Sequence, residues 1–335
     1  MHTGCLELVL LRCVANDKSP HLLYANVSRV KSASINMPAL TAIVDKTVSG
    51  DKNILLYYNT STAKLVYIVK SGTEEDDSAS DIKTAGNDDY GYILNPSQMG
   101  GLNWKGTNYV TALTTPVADM DHAPDEYRVC TLLPQYKELT TTTRDNQAVA
   151  MCTDGETCWA YYMRAQSKGS RTRSLNEINL VTGASKQCVG TTDAWIDCSI
   201  AAWYDTEQKQ VFVIYEGSGL VEYDTVRQQI AFLPGTGNMM RNTPLALSYY
   251  NNTVYLYYSG RNGGDVQRVV KTGTTWGPAA TVTGSVPLAQ DCQLTVVPAN
   301  GFNHLFYVSR DMSQDTADAG PSSPSYFTHI RDPLN

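Results

Sequence analysis

Apolar runs alternate along the chain with clusters of Gly, Asn, Asp, Ser and Thr, a pattern that predicts short strands and turns rather than helices. One aromatic run recurs, as Ile54–Tyr58, Tyr127–Thr131, Cys158–Tyr162, Val211–Tyr215, Val254–Tyr258 and Leu305–Val308. Successive copies lie on average about 50 residues apart, a period that fits one small sheet per repeat. A small-residue apolar strand precedes each copy: Ala39–Val44, Tyr109–Leu113, Ala148–Cys152, Ser199–Trp203, Leu245–Tyr249 and Leu294–Val297. A third strand follows, as in Lys64–Val69, Leu175–Leu180, Leu220–Tyr223, Val266–Val270 and Tyr326–Ile330. Small residues suit the crowded axis of a propeller, and larger ones fill the space between its blades. The pattern therefore predicts an all-β, six-bladed β-propeller forming a single domain over 1–335. Strands Leu6–Leu11 and His21–Ala25 are expected to complete the last sheet and close the ring, which removes exposed edges. A β-sandwich with irregular strand spacing is the competing architecture. The period breaks at an acidic insertion, 71–90, and at a long loop, 311–325.

Composition narrows the function. Of 335 residues, 18% are charged, below the ~25% of an ordinary domain, while 42% are hydrophobic, which supplies a core and excludes wholesale disorder. The net charge is −7 and no Lys/Arg stripe is present, so nucleic-acid binding lacks its electrostatic basis. No apolar run approaches the ~20 residues of a membrane span. Leu6–Leu11 is also too short for a signal-peptide core. Eight cysteines and the sequons at Asn26, Asn59 and Asn251 nevertheless point to an oxidising, secretory or extracellular location, with the leader removed. The spacing suggests disulfides Cys5–Cys13, Cys152–Cys158 and Cys188–Cys198, leaving Cys130 with Cys292, although many other pairings remain open. The five histidines are scattered, and no metal-ligand spacing, phosphate loop or nucleophile elbow occurs. No metal or cofactor is therefore expected.

The order of small-residue strand, aromatic strand and third strand, with an occasional Trp as in Thr275-Trp276-Gly277, resembles the fungal fucose-specific lectins over about residues 35–330. That resemblance implies sugar sites built from an Arg near the start of the aromatic strand, a Glu on the next strand and an aromatic residue from the adjoining blade. Arg128 and Glu138 fit this pattern. Elsewhere the Arg position holds Leu55, Trp159, Phe212, Tyr255 or Leu305, and Glu177 and Glu222 keep the acid alone. Loss of the cation leaves sugar hydroxyls without charge-assisted bonds, which argues against six working sites. Arg128 with Glu138 is equally compatible with a surface ion pair.

The loops expected to enter the innermost strands carry Trp104, Lys105, Trp195, Asp197, Met240, Arg241 and Asp291, with Trp203 close by. Such a mouth would suit a bulky apolar ligand, unless the same side chains plug the channel. In overall character the chain also resembles the fungal hetero-Diels–Alderases of tropolonic sesquiterpenoid biosynthesis. This implies capture of a tropolone quinone methide by a humulene-type alkene without a cofactor. The reaction needs two apolar small-molecule partners held in one geometry and a donor or two. Arg241 and Lys105 are the expected donors and Asp291 or Asp197 the proton acceptor, between walls of Trp104, Trp195, Trp203 and Met240. A glycan-binding lectin with degenerate sites is the alternative. A glycoside hydrolase, which would need a cluster of Arg with paired carboxylates or a Tyr nucleophile, ranks behind both because no Asp-box repeat is present. Homodimerisation is left open.

Overall fold

The computed structural model describes residues 37–60, 64–71, 82–85, 91–116, 125–144, 146–167, 169–261, 264–289, 291–311 and 326–334. The expected N-terminal strands, Cys5, Cys13 and Asn26 lie outside them, as do most of the 71–90 insertion and of the 311–325 loop. Among the described residues the strands form six antiparallel sheets. Blade 1 contains β1 (Leu40–Val44), β2 (Ile54–Asn59), β3 (Leu65–Lys70) and β4 (Lys83–Thr84). Blade 2 contains β5 (Tyr92–Ile93), β6 (Met99–Trp104), β7 (Thr107–Thr115), β8 (Glu126–Leu133) and β9 (Lys137–Thr143). In blade 3 are β10 (Val149–Thr153), β11 (Cys158–Ala165), β12 (Thr172–Asn179), β13 (Ser185–Gln187) and β14 (Ala194–Trp195). Blade 4 runs β15 (Ile200–Asp205), β16 (Gln210–Glu216), β17 (Leu220–Asp224) and β18 (Gln229–Phe232). Blade 5 has β19 (Leu245–Tyr250), β20 (Thr253–Ser259), β21 (Val266–Thr272), β22 (Thr275–Trp276) and β23 (Ala280–Thr281). Blade 6 has β24 (Leu294–Ala299), β25 (Phe302–Tyr307) and β26 (Thr328–Pro333). The inner strands β1, β6, β10, β15, β19 and β24 neighbour one another in that order and back to β1, which makes the ring of a six-bladed propeller.

The second strands are apolar on both faces because each is sandwiched between neighbouring blades. All residues of β2 and β16 are buried. On β16 the alternation of side chains sends Val211, Val213 and Tyr215 toward blade 3, and Phe212 and Ile214 toward blade 5. Burying a large apolar side chain contributes about 1.5–3 kcal/mol, so these inter-blade clusters hold the ring together.

Blade 2 departs from the expected phase. Tyr109–Leu113 lies on its second strand and Tyr127–Thr131 on its third, while Met99–Trp104 takes the hub position. The small-residue rule still holds, because the hub strand carries Gly100-Gly101. A Cβ on Gly101 would meet Thr41 side-chain atoms at 2.7 Å, and one on Gly100 would meet Thr111 Oγ1 at 2.9 Å.

The expected disulfides are not formed among the described residues, where all six cysteines are buried free thiols. Cys152 lies opposite Trp159 and Cys158 opposite Thr153. This one-residue offset places the two thiols on opposite faces of the sheet, Cys152 toward blade 4 and Cys158 against Met151 and Ala160. Cys130 belongs to blade 2 and Cys292 leads into blade 6, with blade 1 between them. Cys188 sits outside β12 and bonds through its N–H to Leu175 O, whereas Cys198 leads into the hub strand β15, and the two do not pair.

Candidate functional site

At the hub the six inner strands enclose a cavity of about 90 Å³. Gln98 reaches across its entrance: its Nε2 donates to Ile200 O at 3.0 Å, and its Oε1 accepts from Ile200 N at 2.8 Å. The mouth residues expected from sequence are consequently split. Trp195, Asp197, Met240, Arg241 and Asp291 do precede inner strands, and the Arg241 guanidinium lies 4.3 Å from the centre of the Trp195 ring. Beneath Arg241 the carboxylate of Glu216, which is 2% exposed, accepts the backbone N–H groups of Asn242 and Thr243. Burial pushes its pKa up from 4.5 to about 7. Trp104 and Lys105 instead close the β6–β7 hairpin at the other end of the ring. There the Trp104 indole donates to Gly155 O at 3.1 Å, and Lys105 pairs with Glu156 at 2.9 Å. Trp203 is buried between blades 4 and 5 against Phe212 and Trp276. The blade 2 phase shift accounts for the displacement of Trp104 and Lys105.

Each blade turns a set of second- and third-strand side chains toward the next blade, and strand register aligns these sets. The position near the start of the second strand holds Leu55, Tyr109, Trp159, Phe212, Tyr255 and His304 in blades 1 to 6. The third-strand position opposite the residue two further on holds Tyr67, Thr131, Glu177, Glu222, Arg268 and His329. Register thus replaces Leu305 by His304 in the last blade and Arg128 by Tyr109 in the second. Arg128 and Glu138 do pair at 3.3 Å, but on β8 and β9, one strand further out than the aligned position, with side chains 40% and 44% exposed.

Between blades 3 and 4 the Glu177 carboxylate accepts the Tyr161 hydroxyl at 2.8 Å and lies 3.2 Å from Lys186 Nζ. Glu177 is 10% exposed at its side chain and Lys186 63%. Below them the rings of Trp159 and Tyr204 stack across the blade boundary at 6.2 Å, and both are half-buried. Between blades 4 and 5 the acid pairs instead with a buried lysine. Lys271 Nζ lies 2.8 Å from each oxygen of Glu222, and the Trp276 indole donates to Oε2 at 2.9 Å.

Two further boundaries carry other pairs. Between blades 5 and 6, Arg268 meets both oxygens of Asp332 at 2.7 Å, and Tyr257, Asn303 and Ser248 continue the network. On the face of blade 6 turned to blade 1, His304 Nε2 lies 3.2 Å from Ala299 O. A carbonyl only accepts, so His304 carries its proton on Nε2, and its Nδ1 accepts from His329 Nε2 at 2.9 Å. Desolvation lowers the His304 pKa from 6.5 to about 4.

Sequence reading found both glutamates but missed their cations, Lys186 and Lys271. The signal for Lys271 was present, because it follows Val269 at the alternate position of an inward-facing strand face. Of the sequons, Asn251 lies in an exposed turn, whereas Asn59 is 1% exposed and accepts the Ala39 N–H at 2.7 Å, which removes it as a glycan acceptor. No helix among the described residues is long and apolar enough to cross a membrane.

No family model and no curated protein matches the sequence. Solved structures do match the fold. The fucose-specific lectin from Aleuria aurantia aligns with a TM-score of 0.59 at 10% identity, covering 89% of this chain and 96% of that one. The SapL1 lectin in complex with α-methyl fucoside gives 0.58 at 10% identity, covering 90% and 99%. A triple Arg-to-Ala mutant of AofleA from Arthrobotrys oligospora gives 0.56 at 8% identity, covering 90% and 88%. Blade number, ring closure and these alignments together give the chain the six-bladed propeller fold of the fucose-specific lectins.

Proposed function

We propose that this chain is a carbohydrate-binding protein whose ligand sits in the groove between blades 3 and 4. The observation that carries the reading is the pairing of a carboxylate with an aromatic platform on one blade boundary. Glu177 faces blade 4 beside an exposed Lys186, and the Trp159–Tyr204 stack lies along the same groove. A carboxylate and an ammonium group bond sugar hydroxyls through charge-assisted hydrogen bonds, while aromatic rings cover the apolar C–H face. The exposed Lys186 ammonium can turn from Glu177 toward a ligand hydroxyl while keeping its charge in solvent. The names of the matched lectins make fucose the first sugar to test.

The hetero-Diels–Alderase reading has less support. It relied on an apolar mouth able to hold two partners, whereas the hub cavity is about 90 Å³ and ligand pockets run from roughly 300 Å³. Its donors Lys105 and Arg241 also sit at opposite ends of the ring. Titration with methyl α-fucoside and a panel of neutral and acidic sugars, followed by tryptophan fluorescence, tests the proposal. A saturable change in the wild type that disappears in Trp159→Phe is expected. No response to any sugar, together with one dihydropyran stereoisomer from a tropolone alcohol and humulene, would reverse the order of the two readings.

A further inference from the structure

The groove between blades 4 and 5 has the elements of a binding site and an occupant supplied by the chain itself. The Lys271 side chain is 3% exposed and that of Glu222 13% exposed. Three aromatic rings surround the Lys271 Nζ, with centroids at 4.6 Å for Phe212, 5.3 Å for Trp203 and 5.6 Å for Trp276. Both Glu222 oxygens point at the same nitrogen from 2.8 Å, and the Trp276 N–H holds the carboxylate in place. One carboxylate and a box of ring faces form the recognition chemistry for an organic ammonium ion, where charge and ring quadrupole act together and desolvation strengthens both. Glu222 also occupies the aligned acid position that Glu177 holds in the groove between blades 3 and 4.

We propose that this groove is an alkylammonium-binding site occupied internally by Lys271. The side chain acts as a tethered ligand, holds blade 5 against blade 4 and keeps sugars and other solutes away from Glu222. The proposal is independent of the sugar reading for the neighbouring groove. Removing the tether while leaving the box intact creates a vacancy for a free ligand of the same chemistry. No bond is made or broken, so the site requires no co-reactant.

The test is chemical rescue. Lys271→Ala is expected to melt several degrees below the wild type, and n-butylammonium chloride should restore at least half of that loss. Sodium chloride at equal ionic strength and neutral n-butanol should not. The wild type should be unaffected, and adding Glu222→Gln to Lys271→Ala should abolish the rescue. Equal effects of butylammonium and sodium, or a rescue that survives loss of Glu222, would overturn the proposal. If Lys271→Ala fails to fold, the wild-type protein still decides, because ε-methylene protons held over ring faces resonate well upfield of an exposed lysine. Random-coil shifts for Lys271 would refute the box.

Discussion

Glu216 and His304 titrate over overlapping ranges with opposite effects on stability. Burial raises the Glu216 pKa from 4.5 to about 7, so the folded chain binds the extra proton and loses stability as pH rises through that interval. Burial lowers that of His304 from 6.5 to about 4, so the folded chain loses stability as pH falls through that range. Glu216→Gln removes only the first effect. Urea melts should show the variant more stable than the wild type at pH 8, by up to about 3 kcal/mol, with the gap closing by pH 4.5. A gap independent of pH would show that Glu216 is not the titrating group. At Lys271 the expected change is of similar size and of the other sign. Lys271→Met leaves Glu222 largely buried without its cation, at a cost of about 3 kcal/mol. Adding Glu222→Leu should return part of that loss, which a double-mutant melting series checks.

Strand phase and side-chain parity decide most of what happens at the next scale. The aromatic strands of blades 1, 3, 4, 5 and 6 were legible because a second strand covered on both faces must be apolar throughout. Blade 2 was misread because its hub strand carries Gly100-Gly101, which resembles a loop until the packing against Thr41 shows why no larger residue fits. That shift carried Trp104, Lys105 and the Arg128–Glu138 pair away from their expected places. The disulfides failed for a related reason: proximity in sequence does not place two side chains on one face. Denatured, unreduced protein should therefore yield free thiols at all six described cysteines, while in the native state burial keeps them unreactive. The thiols of Cys158, Cys188 and Cys292 are pushed up to about 12, far from the thiolate form that reacts. Mass spectrometry after alkylation under the two conditions distinguishes this from a disulfide framework. At the hub, Gln98→Leu strips Ile200 of both side-chain hydrogen bonds and should cost about 1–3 kcal/mol in denaturant melts.

Over the whole molecule, a ring of six similar sheets carries different polar pairs at its blade boundaries, within one blade or across two. Cation, acid and aromatic side chains change places from groove to groove, and each exchange is compensated locally: Lys271 for Glu222, Asp332 for Arg268, His329 for His304. The acids were readable from sequence because they keep the alternation of the third strand. Their partners were not, because they arrive from other strands or other blades. Two grooves keep the acid, and only in that of Glu177 is the lysine beside it exposed rather than buried. A chain with one working groove binds sugar without crosslinking cells, so agglutination is expected to be absent even where binding is measurable. A glycan array probed with the wild type and with Glu177→Gln, both shown folded by circular dichroism, tests the central claim most directly. A restricted set of glycans, fucosylated ones first among them, is expected to retain the wild type and to bind the variant at least tenfold more weakly. A blank wild-type array, or identical retention of both proteins, would contradict it.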